Sequence, residues 1–171
     1  NTACNRTFTN NSGGTLSVSS GTLNIYGRLL VNLLSTFNQS GGDINVDGNA
    51  GGNAANSVAS ATAIVDLNPS TASSINLTGG TLTLVDPHAN TTASNTLLLS
   101  GTFSGPINVT TGHTIRFGNG SSTDAGGNAA NGFRVNTWAT TSGMPFGNVI
   151  VTAHVSSKCY PDFKNCAIPL K

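Results

Sequence analysis

Ser12-Gly13-Gly14-Thr15-Leu16-Ser17-Val18-Ser19 sets two glycines directly before a strict alternation of polar and apolar residues. In an extended chain Leu16 and Val18 fall on one face and Thr15, Ser17 and Ser19 on the other, the pattern of a half-buried strand. The phrase returns as Ser40-Gly41-Gly42-Asp43-Ile44 and Thr78-Gly79-Gly80-Thr81-Leu82, at intervals of 28 residues from Gly13 to Gly41 and 38 from Gly41 to Gly79. Each copy follows an apolar residue, Phe8, Phe37 or Leu77, and paired glycines permit positive φ at a tight corner. Working outward, Leu23 and Ile25, Ile44 and Val46, Ile75 and Leu77, Leu82 and Leu84, Ile107 and Val109, Ile115 and Phe117, and Phe133 and Val135 each offer an inward pair separated by one residue. No helical period runs between them. A longer duplication, Asn49-Ala50-Gly51-Gly52-Asn53-Ala54-Ala55-Asn56, returns 75 residues on as Asp124-Ala125-Gly126-Gly127-Asn128-Ala129-Ala130-Asn131.

Short strands repeated at unequal intervals suit a stack of coils with loops of different length better than fixed hairpins. The expected fold is all-β, a right-handed parallel β-helix (β-solenoid) with irregular loops. Its core holds Leu16, Leu23, Ile25, Ile44, Val46, Leu82, Leu84, Ile115 and Phe117, and a β-sandwich is the alternative. Residues 1–154 form the solenoid domain. Residues 155–171 form a tail or cap, because all three lysines, Lys158, Lys164 and Lys171, gather there with Cys159, Tyr160 and Cys166. Cys159 and Cys166 are expected to pair in an oxidising compartment, with the partner of Cys4 left open among three pairings.

Composition agrees. Charged residues are 8% of the chain, 37% is apolar, and Asn, Gly, Ser and Thr supply about half. Alternating apolar runs argue against disorder. A net charge of +1 gives no field for neutralising phosphates, so nucleic acid is not an expected partner. Apolar runs such as Leu29 to Val31 and Leu97 to Leu99 fall far short of the ~20 residues of a spanning helix, so membrane insertion is not expected. The chain begins at Asn1 without Met or leader, which reads as a mature or excised piece of a longer precursor.

The residues that could carry chemistry are few. There is no Glu, and the acids are Asp43, Asp47, Asp66, Asp86, Asp124 and Asp162. Asp43 and Asp47 share an outward face but lie roughly 13 Å apart along a strand, beyond the ~5–9.5 Å between glycosidase carboxylates. They read as a solvated polar face, with a polysaccharide-degrading pair or calcium binding as alternatives. Asp124 joins them as a calcium candidate, and a structural calcium is the only cofactor expectation. His88, His113 and His154 are scattered and read as turn or surface histidines. Binding candidates are the outward aromatics Tyr26 and Trp138 and the loop amides Asn53 and Asn128. An outward threonine ladder begun by Thr15 and Thr81 raises ice binding, but Asp43, Asn45, Asn76 and Asn108 interrupt it. Sequons at Asn5, Asn10, Asn38, Asn76, Asn90, Asn108 and Asn119 follow from the composition.

Gly21-Thr22-Leu23-Asn24-Ile25-Tyr26-Gly27, Phe37-Asn38-Gln39-Ser40-Gly41-Gly42, Val85-Asp86-Pro87-His88-Ala89 and Gly132-Phe133-Arg134-Val135-Asn136-Thr137-Trp138 carry a resemblance. Over about residues 7 to 153 the chain is similar to the repetitive β-solenoid ectodomains of large Bacteroidetes surface proteins, adhesin-like members included, exported by type IX secretion. The resemblance implies an extracellular or cell-surface location and adhesion, and transfers no catalytic residue. The expected function is a non-catalytic surface or adhesin-like binding domain that meets a glycan, a protein surface or another copy of itself.

Overall fold

A computed structural model of the protein describes residues 7–48, 63–68, 74–86, 97–99, 107–119, 134–137, 147–152 and 162–164. Every regular element among them is a strand: β1 (Thr7–Asn10), β2 (Thr15–Val18), β3 (Thr22–Tyr26), β4 (Arg28–Val31), β5 (Thr36–Asp47), β6 (Val65–Leu67), β7 (Ser74–Asp86), β8 (Leu97–Leu99), β9 (Ile107–Val109), β10 (His113–Phe117), β11 (Arg134–Thr137), β12 (Asn148–Val151) and β13 (Asp162–Lys164). One sheet has six strands in the order β1-β4-β6-β8-β11-β13. The other has seven, running β12-β10-β7-β5-β2, with β3 also on β5 and β9 also on β7.

All pairings among the described strands are parallel. Parallel neighbours need a crossover. Here the chain crosses by visiting the other sheet: β1, β4, β6, β8, β11 and β13 alternate in sequence with the strands of the seven-stranded sheet. The hairpins that an antiparallel sandwich requires do not occur among the described strands.

Register turns the period-two alternation into apolar columns. Leu23, Ile44, Leu82, Ile115 and Val149 stand in one, and Ile25, Val46, Leu84, Phe117 and Val151 in the next. A third runs Leu16, Phe37, Ile75, Ile107. Inner members are fully buried, Phe37, Ile44, Ile75, Leu82, Leu84 and Phe117 among them, each worth about 1.5–3 kcal/mol against exposure. Leu16 and Leu23, expected inside, are only partly buried against this cluster. They stand on β2 and β3, which among the described strands have a neighbour on one side alone. Phe8 is 41% exposed for the same reason, although its register partner Leu29 is fully buried.

The glycine phrases are not equivalent to one another. Gly13-Gly14 makes a turn between β1 and β2, closed by the Gly14 N–H donating to the Asn11 carbonyl at 2.8 Å. Gly41-Gly42 and Gly79-Gly80 instead lie inside the long strands β5 and β7, at shifts of register. Their counterpart in the first rung is Gly21, since Thr22 pairs with Asp43 and Asp43 with Thr81. The repeated phrase in the sequence was therefore out of step with the structural repeat by one corner.

A charged pair ties β4 to β6. Arg28 Nη2 donates to Asp66 Oδ2 at 2.6 Å and Arg28 Nε to the Ala63 carbonyl at 2.9 Å. The two side chains are 16% and 10% exposed. Removing one partner of a mostly buried pair leaves the other charge poorly solvated. Arg28→Ala is expected to cost about 2 kcal/mol, read as a lower urea midpoint, and Arg28→Lys to recover only part of it because lysine cannot supply both donors in that geometry.

Candidate binding face

The outward residues of β2, β3, β5, β7, β9, β10 and β12 form columns of their own. Ser17, Asn38, Asn76 and Asn108 are in register, as are Thr22, Asp43, Thr81, Thr114 and Asn148. Asn24 and Asn45 begin a column that continues through Thr83 and Arg116. Parallel strands hold such neighbours about 4.8 Å apart, close enough for one amide to reach the next. Asn38 Nδ2 donates to Ser17 Oγ at 3.3 Å, Asn76 Nδ2 to Asn38 Oδ1 at 2.8 Å, and Asn45 Nδ2 to Asn24 Oδ1 at 2.9 Å. Each side chain is fixed by its neighbour. Thr83 is buried, while Asp43, Asn24, Asn108 and Asn148 are exposed.

Tyr26 is 62% exposed at the end of β3. Its register partner is Asp47, and Asp47 pairs in turn with Asp86 on β7. Asp43 and Asp47 remain four residues apart on β5 and do not converge. The stack instead brings the backbones of Asp47 and Asp86 side by side, a juxtaposition the sequence could not mark because 39 residues separate them. Among the described residues no group of three or more His, Cys, Asp or Glu is placed to hold a metal ion. No helix among them is long and apolar enough to cross a membrane. Trp138, Asn53, Asn128, Asp124, Cys4, Cys159, Cys166, His88 and His154 lie outside the described residues.

His113 is not a surface histidine. It starts β10, and the alternation that turns Ile115 and Phe117 inward turns His113 inward as well, where it is fully buried. Beside it is Gln39, also fully buried, two residues after the inward Phe37. Gln39 Nε2 donates to the Thr81 carbonyl at 3.0 Å and the Gly42 carbonyl at 3.3 Å, so its Oε1 is turned toward His113 Nε2, 3.1 Å away. An amide oxygen can only accept, which assigns the proton to Nε2 and leaves Nδ1 bare. Nδ1 is buried without a partner. Burial lowers the His113 pKa from 6.5 to about 4, so the ring is neutral near pH 7. Counting period two backward from Phe117 and forward from Phe37 would have found both residues.

Comparison with protein-family models, with curated proteins and with solved structures finds no match for this chain.

Proposed function

We propose that the chain is a right-handed parallel β-solenoid serving as a non-catalytic, adhesin-like binding domain on a bacterial surface, within a larger secreted protein of the Bacteroidetes type. The observation that carries this reading is the outer face of the seven-stranded sheet, where Asn, Ser, Thr and Asp stand in columns by register and side-chain hydrogen bonds join Asn38 to Ser17, Asn76 to Asn38 and Asn45 to Asn24. Alternation of the chain between two parallel sheets supports the solenoid, and the strong preference of parallel crossovers for one hand supports right-handedness. A face of fixed amides and hydroxyls offers donors and acceptors to the hydroxyls of a glycan at little entropic cost. Tyr26 adds an exposed ring on which a sugar can stack.

A glycan array probed with the purified chain tests this. Binding is expected, with Tyr26→Ala weakening the bound glycan about tenfold, equivalent to one interface side chain of ~1.4 kcal/mol. A second reading, polysaccharide cleavage, draws on the adjacency of Asp47 and Asp86 in register. Incubation with a polysaccharide panel separates the two. New reducing or unsaturated ends that vanish in Asp47→Asn would establish an enzyme, and binding without cleavage the adhesin. Ice-recrystallisation inhibition on the same sample would favour the remaining alternative, to which Asp43 and Asn148 in the threonine column are unfavourable.

A further inference from the structure

A guanidinium carries five N–H donors and a positive charge, and both need partners when it leaves water. Arg28 meets that demand with the Asp66 carboxylate and the Ala63 carbonyl. Arg116 does not. It stands on β10 between Ile115 and Phe117, and the alternation that buries those two completely sends Arg116 outward onto the face of the seven-stranded sheet. The side chain as a whole is half-buried, so part of it meets water, but its Nε is buried without a hydrogen-bond partner.

The surroundings on the sheet are neutral. Arg116 is in register with Thr83 on β7 and Ile150 on β12, and Thr114, Thr81 and Asn148 stand one outward position back along the same three strands. None of these carries a charge. Asp43 and Asp47 on β5 lie two strands off and two residues to either side of the register position, roughly 12 Å between backbones and beyond the Debye length of about 8 Å at physiological salt. Among the described residues no carboxylate is placed to neutralise Arg116.

A cation that has lost water at one edge and gained no acceptor there costs free energy on folding. The same partial burial lowers the local dielectric, so an anion at the remaining edge gains more than it would on a fully exposed arginine. A carboxylate or a sulfate fits best, because two of its oxygens match the fork of guanidinium donors. Asn148 Nδ2 is taken by the Thr111 carbonyl at 2.8 Å, which leaves Oδ1 to accept. With the hydroxyls of Thr81 and Thr114, the cation is bordered by the groups that hydrogen-bond sugar hydroxyls. We infer that Arg116 is an anion-reading position on the binding face, and that the glycan taken there is acidic, with a carboxylate or sulfate ester on the sugar beside Thr81, Thr114 and Asn148. The inference deepens the glycan-binding reading proposed above and rests on it.

Glycan pairs that differ in charge test it on the full chain: polygalacturonate against its methyl ester, and dextran sulfate against dextran. The acidic member of at least one pair is expected to bind about tenfold tighter, and which pair responds separates carboxylate from sulfate. Arg116→Met keeps the length of the stem and removes the charge, and is expected to bring that ratio to about one. A preference that survives Arg116→Met belongs to other cations and overturns the assignment. The urea midpoint of Arg116→Met should equal or exceed that of the wild type, since an unpaired cation gives the fold nothing; a lower midpoint would show a structural arginine. By NMR, the Arg116 Nε–H resonance should shift with galacturonate and stay in place with galactose. A resonance that ignores galacturonate but moves in Asp86→Asn, Asp124→Asn or Asp162→Asn would show that the counter-ion is one of the chain's own acids, and the proposal would fall. Equal binding of acidic and neutral members would defeat the acidic class while leaving a glycan-binding face standing; no binding to any glycan would overturn both.

Discussion

Gly80→Ala is expected to cost about 4 kcal/mol, a large fraction of the roughly 5–15 kcal/mol that holds an ordinary domain folded. Two terms add. Gly80 has φ +79°, where an L side chain costs roughly 1–2 kcal/mol. A Cβ there would also run into the Gly42 carbonyl oxygen and approach the Gly41 carbonyl carbon to 2.7 Å. Those atoms are backbone of the neighbouring strand and cannot rotate away, so the parallel pairing of β5 with β7 must open. Overpacking of this kind adds about 1–3 kcal/mol. Gly13→Ala separates the terms, because Gly13 has the same φ of 79° but nothing within 4 Å of its Cβ position. Urea unfolding should show about 1 kcal/mol lost at Gly13 and several times that at Gly80. Equal losses would mean that the close approach of strands at the corner is not what requires glycine.

The second large effect is a dependence of stability on pH that belongs to one buried ring. Unfolded, His113 titrates near 6.5; folded, burial brings it to about 4. Between those values the unfolded chain binds more protons than the native one, so unfolding becomes easier as pH falls. The His113 contribution is complete above pH 6.5, declines through the window and is gone by pH about 4. Its size is about 3 kcal/mol, from 1.36 kcal/mol per unit of pKa difference. The physical origin is specific: a proton can add only at Nδ1, which is buried and has no acceptor, because Nε2 already donates to Gln39. His113→Gln keeps a donor for Gln39 Oε1 and cannot be protonated. Unfolding free energies measured from neutral pH down to about 4 should diverge between the two proteins by roughly that amount, wild type losing more. Parallel curves would show that water reaches the ring in the native state.

Most of the wall of this fold was legible because alternation is a local property. Ile44 and Val46, Leu82 and Leu84, and Ile115 and Phe117 could be assigned inward from their own neighbours, and all six are fully buried. Tyr26 could be assigned outward on the same ground, and it is exposed. The rule failed where polar residues occupied inward positions: Gln39 and His113 are hydrogen-bonded across 74 residues, a distance no local pattern spans. It failed again at the corners, where Ser12-Gly13-Gly14 resembles Ser40-Gly41-Gly42 in letters while Gly21 matches Gly42 in space.

The sequence by itself determined that the chain is made of strands, which apolar side chains of those strands face inward, and that its surface is met by amides and hydroxyls rather than charges. These follow from the period of two and from composition, both of which are set within a few residues. Only the tertiary structure decided which strand lies beside which. Register placed Asp47 next to Asp86, joined Arg28 to Asp66 and built the Ser17-Asn38-Asn76 ladder. In a parallel ladder every partner lies a crossover away, and the loops between strands differ in length, so the spacing of residues along the chain holds no record of their spacing across it.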